Sequence, residues 1–154
     1  MKSFKSFAEI EKYLQKTIND ALNKELSQHV KEEIQTAVST EVYMAGIPKV
    51  YVRRGGNDHG GMGNPLGTGS LADTDTMNHT VNNGELVVTN NALPSDPTFG
   101  DLTENIVMGY GSRDAWYNKP RDFIGEAKKN MEETGSHIEV MKDALRSRGL
   151  NVLD

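Results

Sequence analysis

The stretch TMNHTVNNGELVVT, Thr76 to Thr89, decides what kind of chain this is. Two runs flank Asn82-Asn83-Gly84, with Val81, Leu86 and Val88 as their apolar side chains. Asn-Gly accepts the left-handed dihedrals of a tight type I′ turn, so the stretch is predicted to be a β-hairpin. The segments on either side have a helical period instead. The class expected is α+β: a long N-terminal helix, a small antiparallel sheet with this hairpin and a long Gly-rich loop, and a C-terminal helix packed on the sheet.

Upstream, Phe4, Phe7, Ile10, Leu14, Ile18, Leu22, Leu26, Val30, Ile34, Val38 and Val42 recur by threes and fours, which predicts one long helix or two collinear ones over residues 3–45. Ser6 and Glu9 have the spacing of a capping box, and Gly46-Ile47-Pro48 supplies a stop. From Leu14 to Val42 every step is four residues, and four residues turn about 400° in an α-helix, so the stripe drifts about 40° per step and roughly 280° over seven. Either the helix breaks or different stretches of it touch different partners. At about 1.5 Å per residue it would span roughly 64 Å, long for so small a domain. Two explanations stand: packing on a neighbouring subunit, or a kinked helix folded over its own core.

Between helix and hairpin, Lys49 to Arg54 alternates like a strand and leads into GGNDHGGMGNPLGTG, residues 55–69, which holds seven of the chain's 15 glycines. So many glycines make order costly, and a long mobile excursion is expected. Beyond the hairpin, Pro94-Ser95-Asp96-Pro97 predicts a loop, and Glu104 to Tyr110 reads as a further strand. The last helix shows one face of Ile124, Ala127, Met131, Ile138, Met141 and Leu145, with Gly135 as a place to bend and Gly149 as a left-handed cap.

At 154 residues the chain is one domain, 1–154, divided into the N-terminal helix (1–46), sheet and loops (47–119) and C-terminal helix and tail (120–154). It has no cysteine, which removes disulfides, thiolate catalysis and Cys-ligated zinc and fits a reducing compartment. No run is apolar enough for a signal sequence or membrane span, so a protein that is not exported is expected. The net charge of −5 divides as −1 (6 basic, 7 acidic), −3 (5 and 8) and −1 (6 and 7) over those three parts. No part is a basic patch, which argues against a sequence-reading nucleic-acid binder but not against a conduit past which DNA slides.

Catalytic and ligand chemistry finds little support. Gly61 to Ser70 lacks the lysine of a P-loop, carries Pro65, and leads to strands instead of a helix N-terminus. Asp73-Thr-Asp75-Thr-Met77 fails the calcium-loop pattern at Met77, so Asp58, His59, Asp73, Asp75 and His79 read as solvated loop or strand residues. Ser70 and Ser112 do not complete Gly-x-Ser-x-Gly, and His29 and His137 read as surface or partly packed. No cofactor, metal or catalytic residue is expected.

WYNKPRDFI, residues 116–124, opens the last helix. Pro120 suits a first helical turn, Asn118 or Asp122 can cap it, and Phe123, Ile124 and Ala127 drop into the core while Trp116 and Tyr117 cover the sheet edge. The stretch also resembles the signature of the tail-completion proteins of long-tailed double-stranded DNA phages, the neck or head–tail joining proteins often labelled minor capsid proteins. The order of parts agrees over most of the chain: long helix, Tyr51-x-Arg53-Arg54, a Gly-rich loop with Gly69-x-Leu71, the Asn-Gly hairpin, a strand at Ile106–Tyr110 and a final helix. Many relatives carry proline directly before the phenylalanine, where Asp122 stands here; the Gly-rich loop is longer and the last helix runs further.

The resemblance implies a structural virion protein without catalysis: a hexameric ring between the head connector and the tail tube, assembled in the host cytoplasm, with DNA passing through its lumen. It implies partners among connector or head-completion proteins and tail tube or tail terminator proteins. Arg53, Arg54 and the 55–69 loop, with Gly60, Gly61 and Gly63, are the expected docking residues; Trp116, Lys119 and Arg121 are expected near a subunit or neck contact. Arg121 pairing with a carboxylate is the alternative. Competing readings are a tail terminator or head-closure ring protein and, in another class, a cytoplasmic ligand-binding protein or enzyme whose Gly-rich loop closes over a small molecule.

Overall fold

The computed structural model describes residues 4–44, 70–93, 100–109 and 119–153. The expected strand at 49–54, the glycine-rich loop, the Pro94–Pro97 loop and Trp116–Asn118 lie outside them.

The N-terminal helix runs without a break from Phe7 to Met44, as α1 (Phe7–Ala21), a π-type turn (Leu22–Leu26), α2 (Ser27–Ala37) and a second π-type segment (Val38–Met44). The Ser6 hydroxyl accepts from Glu9 N at 3.3 Å. The reciprocal Glu9 carboxylate reaches back one residue further than a capping box requires, to Lys5 N at 2.8 Å. The two wide turns resolve the drift in the apolar stripe. A turn bonded i to i+5 holds one extra residue and sets the following helix back by about 100°, so two of them offset most of the roughly 280°. Leu22, Ile34, Val38 and Val42 are accordingly all buried. Different stretches also meet different partners: the first wide turn meets the hairpin and the last helix, and α2 meets the helix before it.

The hairpin is present as read. Strands β1 (Met77–Asn82) and β2 (Glu85–Asn90) pair antiparallel from Met77↔Asn90 to Asn82↔Glu85. Asn83 (φ 50°) and Gly84 (φ 82°) form the left-handed two-residue turn. One face, Met77, His79, Val81, Leu86, Val88 and Asn90, turns inward. A lone hairpin is marginal in water, and this one is held on the helix. Gln35 Nε2 donates to Ala72 O just upstream at 2.8 Å, and His79 Nε2 meets Asn23 Oδ1 at 3.0 Å in the first wide turn. At the foot of the hairpin, buried Asn90 donates to Leu71 O (2.7 Å) and accepts from Ala92 N (3.1 Å).

The expected strand at 104–110 is instead a helix, α3 (Leu102–Met108). Asp101 caps it by accepting from Glu104 N at 3.0 Å, and Gly109 ends it at φ 74°. The β-branched pair Ile106-Val107 suggested a strand, but the cap and the glycine stop override that preference within seven residues.

The single C-terminal helix expected is two: α4 (Phe123–Thr134) and α5 (Ser136–Ser147). Gly135, at φ 67°, ends one and begins the other. Both run antiparallel to the N-terminal helix, α4 along α2 and α5 along α1 and the first wide turn. α4 faces the sheet through Leu86 and Val88 across a narrow groove. Gly149, at φ 83°, closes α5 as expected: Leu150 N donates to Leu145 O and Gly149 N to Arg146 O, the paired bonds of a Schellman motif. Arg148 then clasps the first wide turn, with a guanidinium nitrogen 2.6 Å from Glu25 Oε2. The core gathers Ile34 from α2, Val38 and Val42 from the second wide segment, Leu71 from the turn before the hairpin, Met77 from β1, Ile106 from α3, and Phe123 and Ala127 from α4, with Val88 of β2 packed against it.

Candidate functional site

At the segment Lys119 to Gly125 the end of α3 and the last described turn of the N-terminal helix meet the start of α4. Asp122, not Pro120, begins the helix: its Oδ1 accepts from Gly125 N at 2.8 Å, satisfying one of the unpaired donors of the first turn. Gly125 is small for a reason, since a Cβ there would overlap the Asp122 carboxylate. Pro120 therefore lies outside the helix, contrary to the expectation from its fixed φ. It packs against Gly109 so closely that a Cβ on that glycine would sit 2.6 Å from Pro120 N.

Arg121 fastens three elements. Its backbone N–H donates to Ile106 O of α3 at 3.1 Å, and its Nη1 donates to Val42 O at 2.9 Å. Val42 lies in the last described turn of the N-terminal helix, where the helix dipole direction favours a cation at the carbonyl end. Burial lowers the pKa of the guanidinium, and the carboxylate of Glu41 partly opposes that shift. The carboxylate expected as Arg121's partner is thus nearby, but the 2.9 Å bond goes to a main-chain carbonyl.

Phe123 follows, fully buried, and carries α4 into the core. Ile124 does not follow it inward; it is 37% exposed and rims the groove. Lys119 is exposed. The other sequence-predicted docking residues, Arg53, Arg54, Gly60, Gly61, Gly63 and Trp116, lie outside the described residues. Asp122 is one of the two caps the sequence offered, whereas the close approach at Gly109 was not foreseen. The signal for Gly109 was its place after a capped seven-residue run, which reads equally well as a helix stop.

Replacing Arg121 with methionine keeps the stem and removes the bond to Val42 O. It is expected to cost about 1–2 kcal/mol of stability in urea unfolding, with Arg121→Lys recovering part of the loss.

Other polar groups hold structure. His29 Nε2 and Ser136 Oγ share a 2.9 Å hydrogen bond, and Glu33 Oε1 approaches the same Nε2 at 4.0 Å. A nucleophilic relay needs its acid on the other ring nitrogen, so this trio joins α2 to the start of α5. His137 Nδ1 donates to Met131 O at 2.9 Å, covering the end of α4. Asp73 accepts from Asp75 N at 3.0 Å within a single turn that leads into β1. Among the described residues no three His, Asp or Glu side chains converge as metal ligands, and no helix is long and apolar enough to cross a membrane.

No curated protein and no solved structure matches the chain. The YomN family model matches residues 6–147, from the cap of α1 to the end of α5, and so takes in both the hairpin and the Lys119–Ile124 segment. The chain belongs to the YomN family, whose name derives from a Bacillus phage, and it is a phage-related protein.

Proposed function

We propose that the protein is a non-enzymatic structural component of the phage neck, a ring joining the head connector to the tail tube with DNA passing through its lumen. The observation that carries this reading is a phage-related family match extending over a chain whose Lys119–Ile124 signature resembles that of tail-completion proteins. The geometry adds support of its own. Within the signature Arg121 ties the ends of α3 and the N-terminal helix to the start of α4, which Asp122 caps, an arrangement suited to a rigid assembly unit. An overall charge of −5 with no basic segment suits a channel that does not grip phosphates.

The test is the mass of the purified protein by light scattering over a wide concentration range, alone and with phage connector and tail-tube proteins. A closed ring, or a monomer recruited into rings by those partners, is the expected result. A monomer that ignores them and gains thermal stability from a small metabolite would overturn the reading in favour of a ligand-binding protein.

A further inference from the structure

The two ends of the N-terminal helix differ in their surroundings. Around Val38 and Val42 it is enclosed, whereas at its start every described residue from Phe4 to Glu9 is exposed. Phe7 is 77% exposed and Leu14 38%. Offsets of four and three residues place Glu11 and Leu14 within about 60° of Phe7 around the helix, so the three form one stripe with a carboxylate between two apolar side chains. Glu11 has no ion-pair partner among the described residues.

Elsewhere on the molecule is a surface of the complementary kind. Val30, Leu86, Val88, Ile124 and Met131 line an apolar groove of about 170 Å³ between α2, β2 and α4, and the one charged residue lining it among the described residues is Lys128. Among the described residues Lys128 pairs only with Glu132, at 3.8 Å on the same exposed helix face, a contact of little energetic weight.

We propose that the Phe7–Glu11–Leu14 stripe of one copy seats in this groove of a second copy, with Phe7 entering the apolar floor and Glu11 pairing with Lys128. A second copy is required because stripe and groove belong to the same continuous helix. Phe7 and Val30 are 23 residues apart along it, roughly 35 Å, so no chain can fill its own groove. Charge complementarity favours the same occupant: one carboxylate within an apolar stripe meets one ammonium at an apolar groove. The contact joins two different surfaces, which makes it head-to-tail, and repetition of such a contact closes into a ring or extends into a filament. It gives the proposed ring a named interface without depending on where in a virion the ring sits.

The test uses the full chain in sedimentation over micromolar to millimolar concentration. Phe7→Asp and Ile124→Asp alter exposed positions, and circular dichroism confirms that each variant remains folded. Each is expected to raise the self-dissociation constant roughly a hundredfold, as loss of an interface anchor does. Mixed together they should form a heterodimer and nothing larger, because one retains the groove and the other the stripe. Glu11→Lys and Lys128→Glu should each weaken association roughly tenfold, and the double variant should recover it. Wild-type protein that stays monomeric to millimolar concentration overturns the proposal, as does association unaffected by Phe7→Asp, a mixture that remains monomeric, or a double charge reversal that fails to recover binding. If such protein still joins connector and tail-tube proteins, the neck reading survives and this contact alone is refuted.

Discussion

Phe123→Ala is expected to lower the unfolding free energy by about 4 kcal/mol, the cost of deleting a buried aromatic side chain and leaving a cavity. In a chain of this length that corresponds to a fall in melting temperature of roughly 8–16 °C. The reason lies in what meets at Phe123. It is fully buried and belongs to the cluster that includes Val38 and Val42 of the N-terminal helix, Ile106 of α3, Ala127 of its own helix and Met77 of the hairpin. It also follows directly on the capping Asp122, so its anchoring fixes the direction in which α4 leaves the signature. Phe123→Leu retains most of the volume and should cost less than half as much. Ile124→Ala, one residue along but at the groove rim, should cost about 1 kcal/mol, because much of that side chain already meets water. Urea unfolding of the three variants checks the order. Equal losses at 123 and 124 would contradict the burial that separates them.

That contrast between neighbours marks where the sequence was legible and where it was not. The hairpin was readable because Asn83-Gly84 needs no tertiary context to favour a left-handed turn. The Gly149 cap was readable for the same local reason. The long helix was readable as a period, and its uniform four-residue spacing implied either a break in the helix or different partners for its different stretches. That the answer would be two wide turns at 22–26 and 38–44 depends on packing against the hairpin and α4, which no local pattern encodes. The α3 error shows competing local signals: Ile106-Val107 favours a strand, while Asp101, Glu104 and Gly109 bound a helix, and three end signals outweighed two β-branched residues. In the candidate site, Asp122 was one of two caps considered and Phe123 was placed in the core. The tasks of Arg121 and Gly109 were not visible, because each is defined by a partner distant in sequence: Val42 for the guanidinium and Pro120 for the glycine.

At Gly109 added volume would meet backbone of the signature segment, Lys119 and Pro120. Two costs fall on Gly109→Ala. The residue sits at φ 74°, where an L side chain is strained by about 1–2 kcal/mol. The new Cβ would also stand 2.6 Å from Pro120 N and 2.8 Å from Lys119 C, which are backbone atoms that no rotamer change can move aside. Overpacking of this kind typically adds about 1–3 kcal/mol, so a total loss of about 3 kcal/mol is expected. Gly135 separates the two costs. It has nearly the same dihedral, φ 67°, but nothing lies within 4 Å of where a methyl on it would stand, so Gly135→Ala should show the strain alone, about 1 kcal/mol. Urea unfolding of both variants gives the difference directly. A gap of about 2 kcal/mol between them would measure how firmly the end of α3 is pressed against Lys119-Pro120. Equal losses would mean that the two segments separate at little cost, and that the close approach of Pro120 to Gly109 does not hold the signature in place. The distinction bears on the proposed assembly: Lys119 to Gly125 held against Gly109 would present Lys119 and the groove beside Ile124 in one geometry, and a partner docking there would lose little freedom in ordering it.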